Sequence, residues 1–359
     1  MTAKRLSQRL AMGGALFLLA ALAQPAGAGV TEGPVSAQKI PFGNGGGGAT
    51  GIENVGDFQI VHMDGFKHAE KRIAISVFNV AFPHEKTQSA ATQTKSGNNA
   101  PSWSILSQLN MGEKKSAYQH TTIDGVDQAT EQRIADSAYA DFVAQLTKAG
   151  YDVISASDLA TLTPEYTTWT AQPNFSEGRY GTYVAPTGRN LYFLRSDTAK
   201  ADSQGNLSRN AAAFQGFDSP QAFKRSPYLA YNGKIGVIAV TLVVDYGTYV
   251  NTGDTKKFNA KMEVSFTPGV TAQSGSFYDT ATLLEYWGPN SGGFPAVAAL
   301  AAPLTSDLPF ATIGDNSATD GDSEPTVHAD PAAFEKAAGE VTQAANAKMV
   351  EAFSNAAAQ

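Results

Sequence analysis

The sequence contains no cysteine among its 359 residues. This absence excludes disulfide bonds, thiolate metal ligands, a cysteine nucleophile and a lipidated lipobox N-terminus. Charged residues are also scarce, at 16% against roughly 25% in an average soluble domain. With 26 Lys and Arg against 33 Asp and Glu, the formal net charge is −7. Because nucleic-acid binders need a positive surface, this balance indicates that no nucleic acid is bound.

The N-terminal 28 residues have the three-part pattern of an export signal. Three basic residues lie near the start, the apolar run Leu10–Ala23 follows, and Ala26–Ala28 supplies an A-x-A cleavage site. The apolar run is shorter than the roughly 20 residues that span a bilayer. The pattern predicts a cleaved signal peptide at residues 1–28, no transmembrane segment after cleavage, and a periplasmic or secreted protein of a Gram-negative bacterium.

Residues 29–56 are rich in glycine, which clusters at positions 45–48. Such a segment buries too little surface to offset the entropy lost on ordering. A phosphate-binding loop would need a lysine after its last glycine, and Ala49 and Thr50 stand there instead. The composition therefore predicts a flexible arm, followed by a single domain over residues 57–359.

The strongest early pattern is a strand, a helix and a second strand. Lys71–Phe82 is an apolar run rich in β-branched residues, typical of a strand buried on both faces. Apolar residues recur at helical spacing over 129–149, Gly150 stands where a C-terminal cap belongs, and Tyr151–Ser155 is again strand-like. This order predicts a crossover unit with parallel strands.

The rest of the chain adds further strands and a terminal helix. Lys257–Phe266 alternates between apolar and polar residues, as a half-exposed antiparallel strand does. The fold class predicted is α/β, with α+β as the alternative: a mixed sheet with a strand–helix–strand crossover, an antiparallel meander and a C-terminal amphipathic helix. The other predicted elements are a helix at 220–231, strands at 190–195, 234–246 and 277–287, the terminal helix at 330–358, and long insertions at 83–127 and 167–219.

The order of these elements resembles a known periplasmic domain. The strand IAISVFNVAF, the helix and strand AYADFVAQLTKAGYDVIS, and the segment SPQAFKRSPYLAYNGKIGVIAVTLVVDY carry the likeness, together with the closing Ala-rich helix. The chain is similar in this order to the group formed by the curli secretion lipoprotein, the penicillin-binding-protein activators and the N-terminal domain of the Tol-Pal translocation protein. The resemblance implies the fold of this group, a periplasmic location and a role in envelope assembly or surface secretion.

The aromatic segment Thr163–Phe193, most of which lies in the second insertion, is the main candidate for binding. Aromatic rings in a Pro- and Gly-rich loop offer a large contact area at low entropic cost, which suits a protein partner or an envelope ligand. The alternative is a segment that packs its own rings onto the sheet. The predicted ligand- or partner-binding residues are Tyr166, Trp169, Phe175, Arg179, Tyr180 and Tyr183.

An acidic stretch near residue 320 is a candidate calcium site. Calcium favours clustered oxygen ligands on a turn, but the spacing of an EF-hand is absent, so a solvated acidic loop is the alternative. No other cofactor is predicted, and the candidate calcium ligands are Asp315, Asp320, Asp322 and Glu324.

Catalytic patterns are weak throughout. The G-x-S-x-G motif of serine hydrolases does not occur, and no catalytic residue is predicted. Asp245 with Glu263 or Glu285 is the candidate for a glycosidase-like carboxylate pair. The simpler interpretation is that Asp245 ends a strand and that the glutamates face water.

Three hypotheses on function follow. The first is a non-enzymatic exported protein that binds a protein or an envelope component. The second is a secreted hydrolase that acts on a polymer. The third is a structural protein that forms homo-oligomers, with the alternating strand Lys257–Phe266 pairing between subunits.

Overall fold

The structure is a computed structural model, and the part of the chain that it describes comprises residues 29–32, 52–55, 58–91, 116–169, 171, 175–178, 181–192, 194–195, 217–218, 220–251, 263–273, 282–291 and 295–358. The predicted signal peptide at residues 1–28 lies outside the described residues.

Four α-helices are described: α1 Gln128–Lys148, α2 Ala156–Leu162, α3 Pro220–Gly233 and α4 Pro331–Ala357; a 3₁₀ helix follows α2 at Pro164–Thr168. The strands are, in chain order, β1 Val30–Glu32, β2 Ile52–Val55, β3 Phe58–Val61, β4 Arg72–Pro83, β5 Glu85–Ala91, β6 Ser116–Asp124, β7 Asp152–Ile154, β8 Phe175–Gly178, β9 Gly181–Val184, β10 Leu194–Arg195, β11 Phe217–Asp218, β12 Gly236–Asn251, β13 Glu263–Ala272, β14 Leu283–Trp287, β15 Ala296–Leu300, β16 Leu304–Ser306, β17 Ala311–Ile313, β18 Ser317–Thr319, β19 Asp322–Ser323 and β20 Thr326–Ala329.

Two parallel strands, β4 and β12, form the centre of the main sheet. Their register sets Ile75 beside Ile238 and Val80 beside Leu242, and these side chains are buried. Strand β7 pairs in parallel with the start of β4, and α1 makes the connection between them. Antiparallel strands β14, β15, β3 and β2 then continue the sheet beyond β12. The predicted α/β class, the crossover unit and the antiparallel part of the sheet are confirmed.

A one-residue bulge in β4 changes which side chains face the helices. The register shifts after Ile75, so that Ser76 is the extra residue and Val77 pairs with Ala239. The bulge reverses the alternation of faces. As a result, Ile75 before the bulge and Phe78 after it both enter the main core.

The two long helices lie on the same side of the main sheet. Side chains of α1 and α4 share one core with Val240 and Leu242. The opposite side is covered by a second cluster that includes Leu159 of α2 and Leu229 of α3. The helices predicted at 129–149, 220–231 and 330–358 are present, but helical periodicity cannot specify which side of a sheet each helix covers.

Both long helices begin at a side-chain cap. Asp127 accepts a hydrogen bond from the Thr130 amide at the start of α1, and Asp330 does the same for the Ala333 amide in α4. Pro331 occupies the first turn of α4, as its missing N–H allows. These local signals set the N-termini of both long helices.

The first predicted insertion contributes to a second sheet. Strands β5 and β6 form an antiparallel hairpin, and β19 and β20 pair with β6 in parallel. Ala117 of β6 is buried and packs with Val264 of β13 and Ala318 of β18. The two ends of the predicted insertion at 83–127 are therefore strands of this sheet, and the alternating residues of β6 bury one face against the main sheet.

The predicted flexible arm at 29–56 also requires correction at both ends. Strand β1 pairs antiparallel with β16, and β2 pairs antiparallel with β3. Backbone pairing at a sheet edge orders a short segment that its composition alone would leave flexible. The glycine cluster between these strands lies outside the described residues.

Candidate ligand-binding site

The predicted aromatic segment packs onto the sheet. The Tyr166, Trp169 and Tyr192 rings meet edge to face, with centroids 5.1–5.4 Å apart. The Tyr166 hydroxyl donates a hydrogen bond of 2.6 Å to the Ser76 carbonyl. Because Tyr166, Trp169 and Tyr183 are all buried, these three predicted binding residues offer no ring face to a partner. These three rings therefore fit the alternative interpretation, in which the segment packs its own rings onto the sheet.

The remaining predicted binding residues cannot be placed at a site. Phe175 belongs to β8, and its side chain is not among those described; Arg179 and Tyr180 lie outside the described residues.

A set of polar side chains lies on the same side of the main sheet as the buried aromatic rings. Asn79 of β4 pairs with Thr241 of β12, and Ala239 of β12 pairs with Glu285 of β14. Strand alternation places these side chains on the side opposite to α1 and α4. Trp287 follows two residues after Glu285 on the same side. We call Asn79, Thr241, Glu285 and Trp287 the Glu285 face.

Three members of the Glu285 face have buried polar atoms without a hydrogen-bond partner. These atoms are both amide atoms of Asn79, Oε1 of Glu285 and Nε1 of Trp287. A buried polar atom left unpaired costs about 1–3 kcal/mol, and native proteins contain few of them. Their concentration on neighbouring strands therefore marks this face as a place where hydrogen-bond partners are missing.

The protonation of Glu285 follows from its burial. Burial alone raises the pKa of Glu285 to about 8, and no neighbouring charge contributes to the shift. The carboxyl group is therefore largely protonated at neutral pH, and a protonated carboxyl both donates and accepts a hydrogen bond. A strongly shifted group without a structural partner is typical of a functional site.

Solvent reaches the Glu285 face to a small extent. Thr241 keeps 9% of its surface accessible and Glu285 keeps 3%, whereas Val240 and Leu242, which face the long helices, keep 0%. Ala239, beside Glu285, has only a methyl side chain.

A second polar cluster surrounds Asp245, farther along β12. Its Oδ2 accepts hydrogen bonds from Lys86 Nζ at 2.5 Å and Gln273 Nε2 at 2.7 Å, and its Oδ1 accepts one from the Tyr246 amide at 2.7 Å. Lys86 also lies 5.9 Å from the centroids of Tyr246 and Tyr249. This carboxylate is fully engaged and ties β5 of the second sheet to β12 of the main sheet.

The predicted carboxylate pair does not form. Glu285 pairs with Ala239 and Asp245 pairs with Thr271, so the two acids stand six positions apart along β12, or about 20 Å at the rise of a strand. Glu263 begins the paired part of β13 near Val264, which pairs with Asn251 at the far end of β12. The glycosidase geometry needs roughly 5–10 Å. The expectation that Glu285 faces water is also wrong, because it is buried.

A third polar cluster joins β4 to the start of α1. The ring Nε2 of His84 lies 2.6 Å from Oε1 of Glu131, and the Thr182 hydroxyl donates to Oε2 of the same carboxylate at 2.8 Å. Glu131 is buried and His84 is partly exposed. Within the described ranges, no serine or threonine hydroxyl is hydrogen-bonded to His84.

The predicted calcium ligands are exposed. Asp315 accepts a hydrogen bond from the Ser317 amide, Asp322 belongs to β19, and Asp320 has a φ of 50°. In the part of the chain that the structure describes, no three His, Cys, Asp or Glu side chains are grouped to hold a metal ion. Calcium binding stays a prediction from the sequence.

Comparisons with known proteins give no relatives: no family model, no curated protein and no solved structure matches the chain. The resemblance to the periplasmic group of the curli secretion lipoprotein therefore stays a prediction. No helix among the described residues is long and apolar enough to span a membrane.

Asn79 is not among the functional residues predicted from the sequence, and Glu285 appears there only as part of a carboxylate pair. A signal was available in both cases. Asn79 interrupts the apolar run Ile73–Phe82, and Glu285 is the only charged residue of Leu283–Trp287. A polar residue inside a strand buried on both faces is a stronger indication of a site than an aromatic loop.

Proposed function

We propose that the protein is an exported, non-enzymatic binding protein that holds a small envelope ligand against the Glu285 face. The buried carboxyl group of Glu285, whose Oε1 has no hydrogen-bond partner, supports the proposal most directly. A ligand would supply the hydrogen bonds that Asn79, Glu285 and Trp287 lack. The predicted export signal and the resemblance to envelope proteins agree with this function.

The chemistry of the Glu285 face favours an uncharged ligand rich in hydrogen-bonding groups. Trp287 Nε1 only donates, whereas the amide of Asn79 and the protonated carboxyl of Glu285 both donate and accept. No described charge compensates an ionised Glu285. Hydroxyl or amide groups of an envelope saccharide or peptide match this set, because they satisfy donors and acceptors without adding a buried charge.

Native mass spectrometry of the protein purified from the envelope fraction tests this function. We expect wild-type protein to carry a bound molecule that is released on denaturation. Glu285→Leu and Asn79→Leu should each remain folded, since they remove buried unpaired polar atoms, and each should lose the bound molecule. Glu351→Gln is the matched control, because Glu351 is an exposed carboxylate on α4.

Two results would contradict the proposal. One is a wild-type protein that leaves the envelope with no bound molecule. The other is the same bound mass in the wild-type protein and in folded Glu285→Leu, because the ligand would then lie elsewhere.

The His84–Glu131 pair favours a second candidate, the secreted hydrolase. A buried carboxylate that orients a partly exposed imidazole is the arrangement of a general base that activates water. If this function holds, wild-type protein should release soluble fragments from purified peptidoglycan, and His84→Gln should abolish the release. An equal release by both proteins, or none by either, would remove this candidate.

The third candidate is an oligomer-forming protein. Its basis is the predicted strand Lys257–Phe266, of which residues 257–262 lie outside the described residues. Residues 263–266 belong to β13, which pairs there with β12 on one side and with β18 on the other. Homo-oligomer formation stays a prediction.

A further inference from the structure

The predicted cleavage point lies directly before an anchored strand. Cleavage after the A-x-A motif Ala26–Ala28 would leave Gly29 as the first residue. The Gly29 carbonyl accepts a hydrogen bond of 2.6 Å from the Asp307 amide, and Val30 of β1 pairs with Ser306 of β16. Gly29 is therefore held at the edge of the main sheet.

A carboxylate of α4 lies beside this position. A Cβ atom built on Gly29 would be 3.6 Å from Oε2 of Glu340. The backbone nitrogen of Gly29 is bonded to the same Cα, so two covalent bonds separate it from this Cβ position. Glu340 is partly buried, and its Oε2 accepts a hydrogen bond of 2.9 Å from the Ser306 hydroxyl. Ser306 thus orients the Glu340 carboxylate toward the start of β1.

Strand β1 makes further contacts with the same surroundings. Glu32 forms an ion pair with Lys348 of α4, and the Thr31 hydroxyl donates a hydrogen bond of 3.4 Å to Asp307. These contacts fix the path of β1 along α4.

We propose that Glu340 is the docking carboxylate for the N-terminal ammonium created when the leader is cleaved after Ala28. A leader peptidase hydrolyses the Ala28–Gly29 amide: the C–N bond breaks, water supplies OH to the Ala28 carboxyl carbon, and the Gly29 nitrogen gains hydrogen. The free amine, with an ordinary pKa of about 8, is largely protonated at neutral pH. Before cleavage the same nitrogen is a neutral amide, so only the processed chain can form this ion pair.

The inference depends on export, which it shares with the proposed function, but not on ligand binding. Its experiments and those on the Glu285 face can therefore fail separately. The contact would hold β1 against β16 after export. Cleavage of the leader would therefore stabilise this edge of the main sheet.

The first test is the N-terminal sequence of the exported protein. We expect it to begin at Gly29. A mature chain that begins elsewhere, or that keeps its leader, would overturn the proposal.

The second test compares the processed protein before and after α-amine-selective acetylation, which removes the N-terminal charge. Acetylation should raise the unfolding equilibrium constant of the wild-type protein by up to about fivefold, the range of a surface ion pair. In Glu340→Gln the same acetylation should have no effect, and in the control Glu351→Gln it should act as in the wild type. Equal effects in wild type and Glu340→Gln would refute the docking contact.

A third measurement remains decisive if Glu340→Gln does not fold. Hydrogen exchange at the β1 amides of the wild-type protein should become several-fold faster after acetylation, while exchange in β12 stays unchanged. Unchanged exchange in β1 would overturn the proposal, because the N-terminal charge would then play no part in holding the strand.

Discussion

Asn346 of α4 donates a hydrogen bond of 2.8 Å from its Nδ2 to the backbone carbonyl of Ala138 in α1. The same amide group also donates to Asp141 Oδ2 at 2.9 Å. Ala345, the preceding residue, is fully buried, and alanines on both helices let the two backbones approach closely. One buried polar side chain thus fixes the relative position of two otherwise apolar helices.

Asn346→Ala should lower the free energy of unfolding by about 1–3 kcal/mol, because the Ala138 carbonyl and the Asp141 carboxylate both lose a hydrogen-bond donor. Urea denaturation measures the change. Gln343→Ala is the control on an exposed position of the same helix and should change stability little. Equal effects of the two variants would show that the Asn346 contact is not structural.

The buried Glu285 makes stability depend on pH. Its folded pKa of about 8 lies above the ordinary value of 4.5, so the folded state binds the proton more tightly than the unfolded state. The stabilisation is fully present below pH 4.5 and is lost as the pH rises through about 8, at a rate of up to about 1.4 kcal/mol per pH unit.

Glu285→Gln removes this titration, so its stability should exceed that of the wild-type protein increasingly as the pH rises from 5 to 8. Urea denaturation at several pH values measures the difference. Glu351→Gln should leave the wild-type pH profile unchanged. Parallel profiles for the wild type and Glu285→Gln would show that Glu285 is not buried in its protonated form.

Two valines on the same strand provide a test of the core. Val240 is fully buried in the middle of β12, whereas Val250 near its end is 45% exposed. Val240→Asp should prevent cooperative folding, because an unpaired charge would enter the main core. Val250→Asp should fold with near wild-type stability. Circular dichroism during thermal unfolding separates the two outcomes, and a cooperative Val240→Asp would contradict the placement of β12.

Trp169 has a structural role that its position in the sequence did not reveal. Its ring packs against Tyr166 and Tyr192, so Trp169→Ala should destabilise the protein by about 3–5 kcal/mol. Leu162→Ala, at a partly exposed position on α2, should cost much less. Chemical denaturation of both variants is the measurement. A Trp169→Ala of wild-type stability would return this ring to the candidates for a binding surface.

Two glycines should respond in opposite directions to alanine. A Cβ at Gly247 would lie 2.2 Å from Cζ of Phe266, whereas nothing lies within 4 Å of a Cβ at Gly339 in α4. Gly247→Ala should therefore lower the melting temperature. Gly339→Ala should raise stability by about 0.5–1 kcal/mol, because alanine is the better helix former. Calorimetry measures both shifts, and a change of the same sign in both would contradict this packing.

Much of the fold could be predicted because its signals are local. The apolar run around Val77 and the longer one around Val240 predicted the two central strands, and the caps at Asp127 and Asp330 define where the long helices begin. The candidate site could not be predicted in the same way. The Glu285 face combines residues of three strands, and a bulge at Ser76 sets the side of the sheet on which Asn79 lies.

The sequence by itself determined the α/β class, the central strands and the long helices, because hydrophobic periodicity and capping act within one element. Only the tertiary structure decided that both long helices cover one side of the sheet, that the Tyr166 and Trp169 rings are core, and that Glu285 is buried with its Oε1 unpaired. These properties depend on strand register and on contacts between residues far apart in the chain. A pattern of apolar and polar residues predicts which face of an element is buried, but not which other element packs against that face.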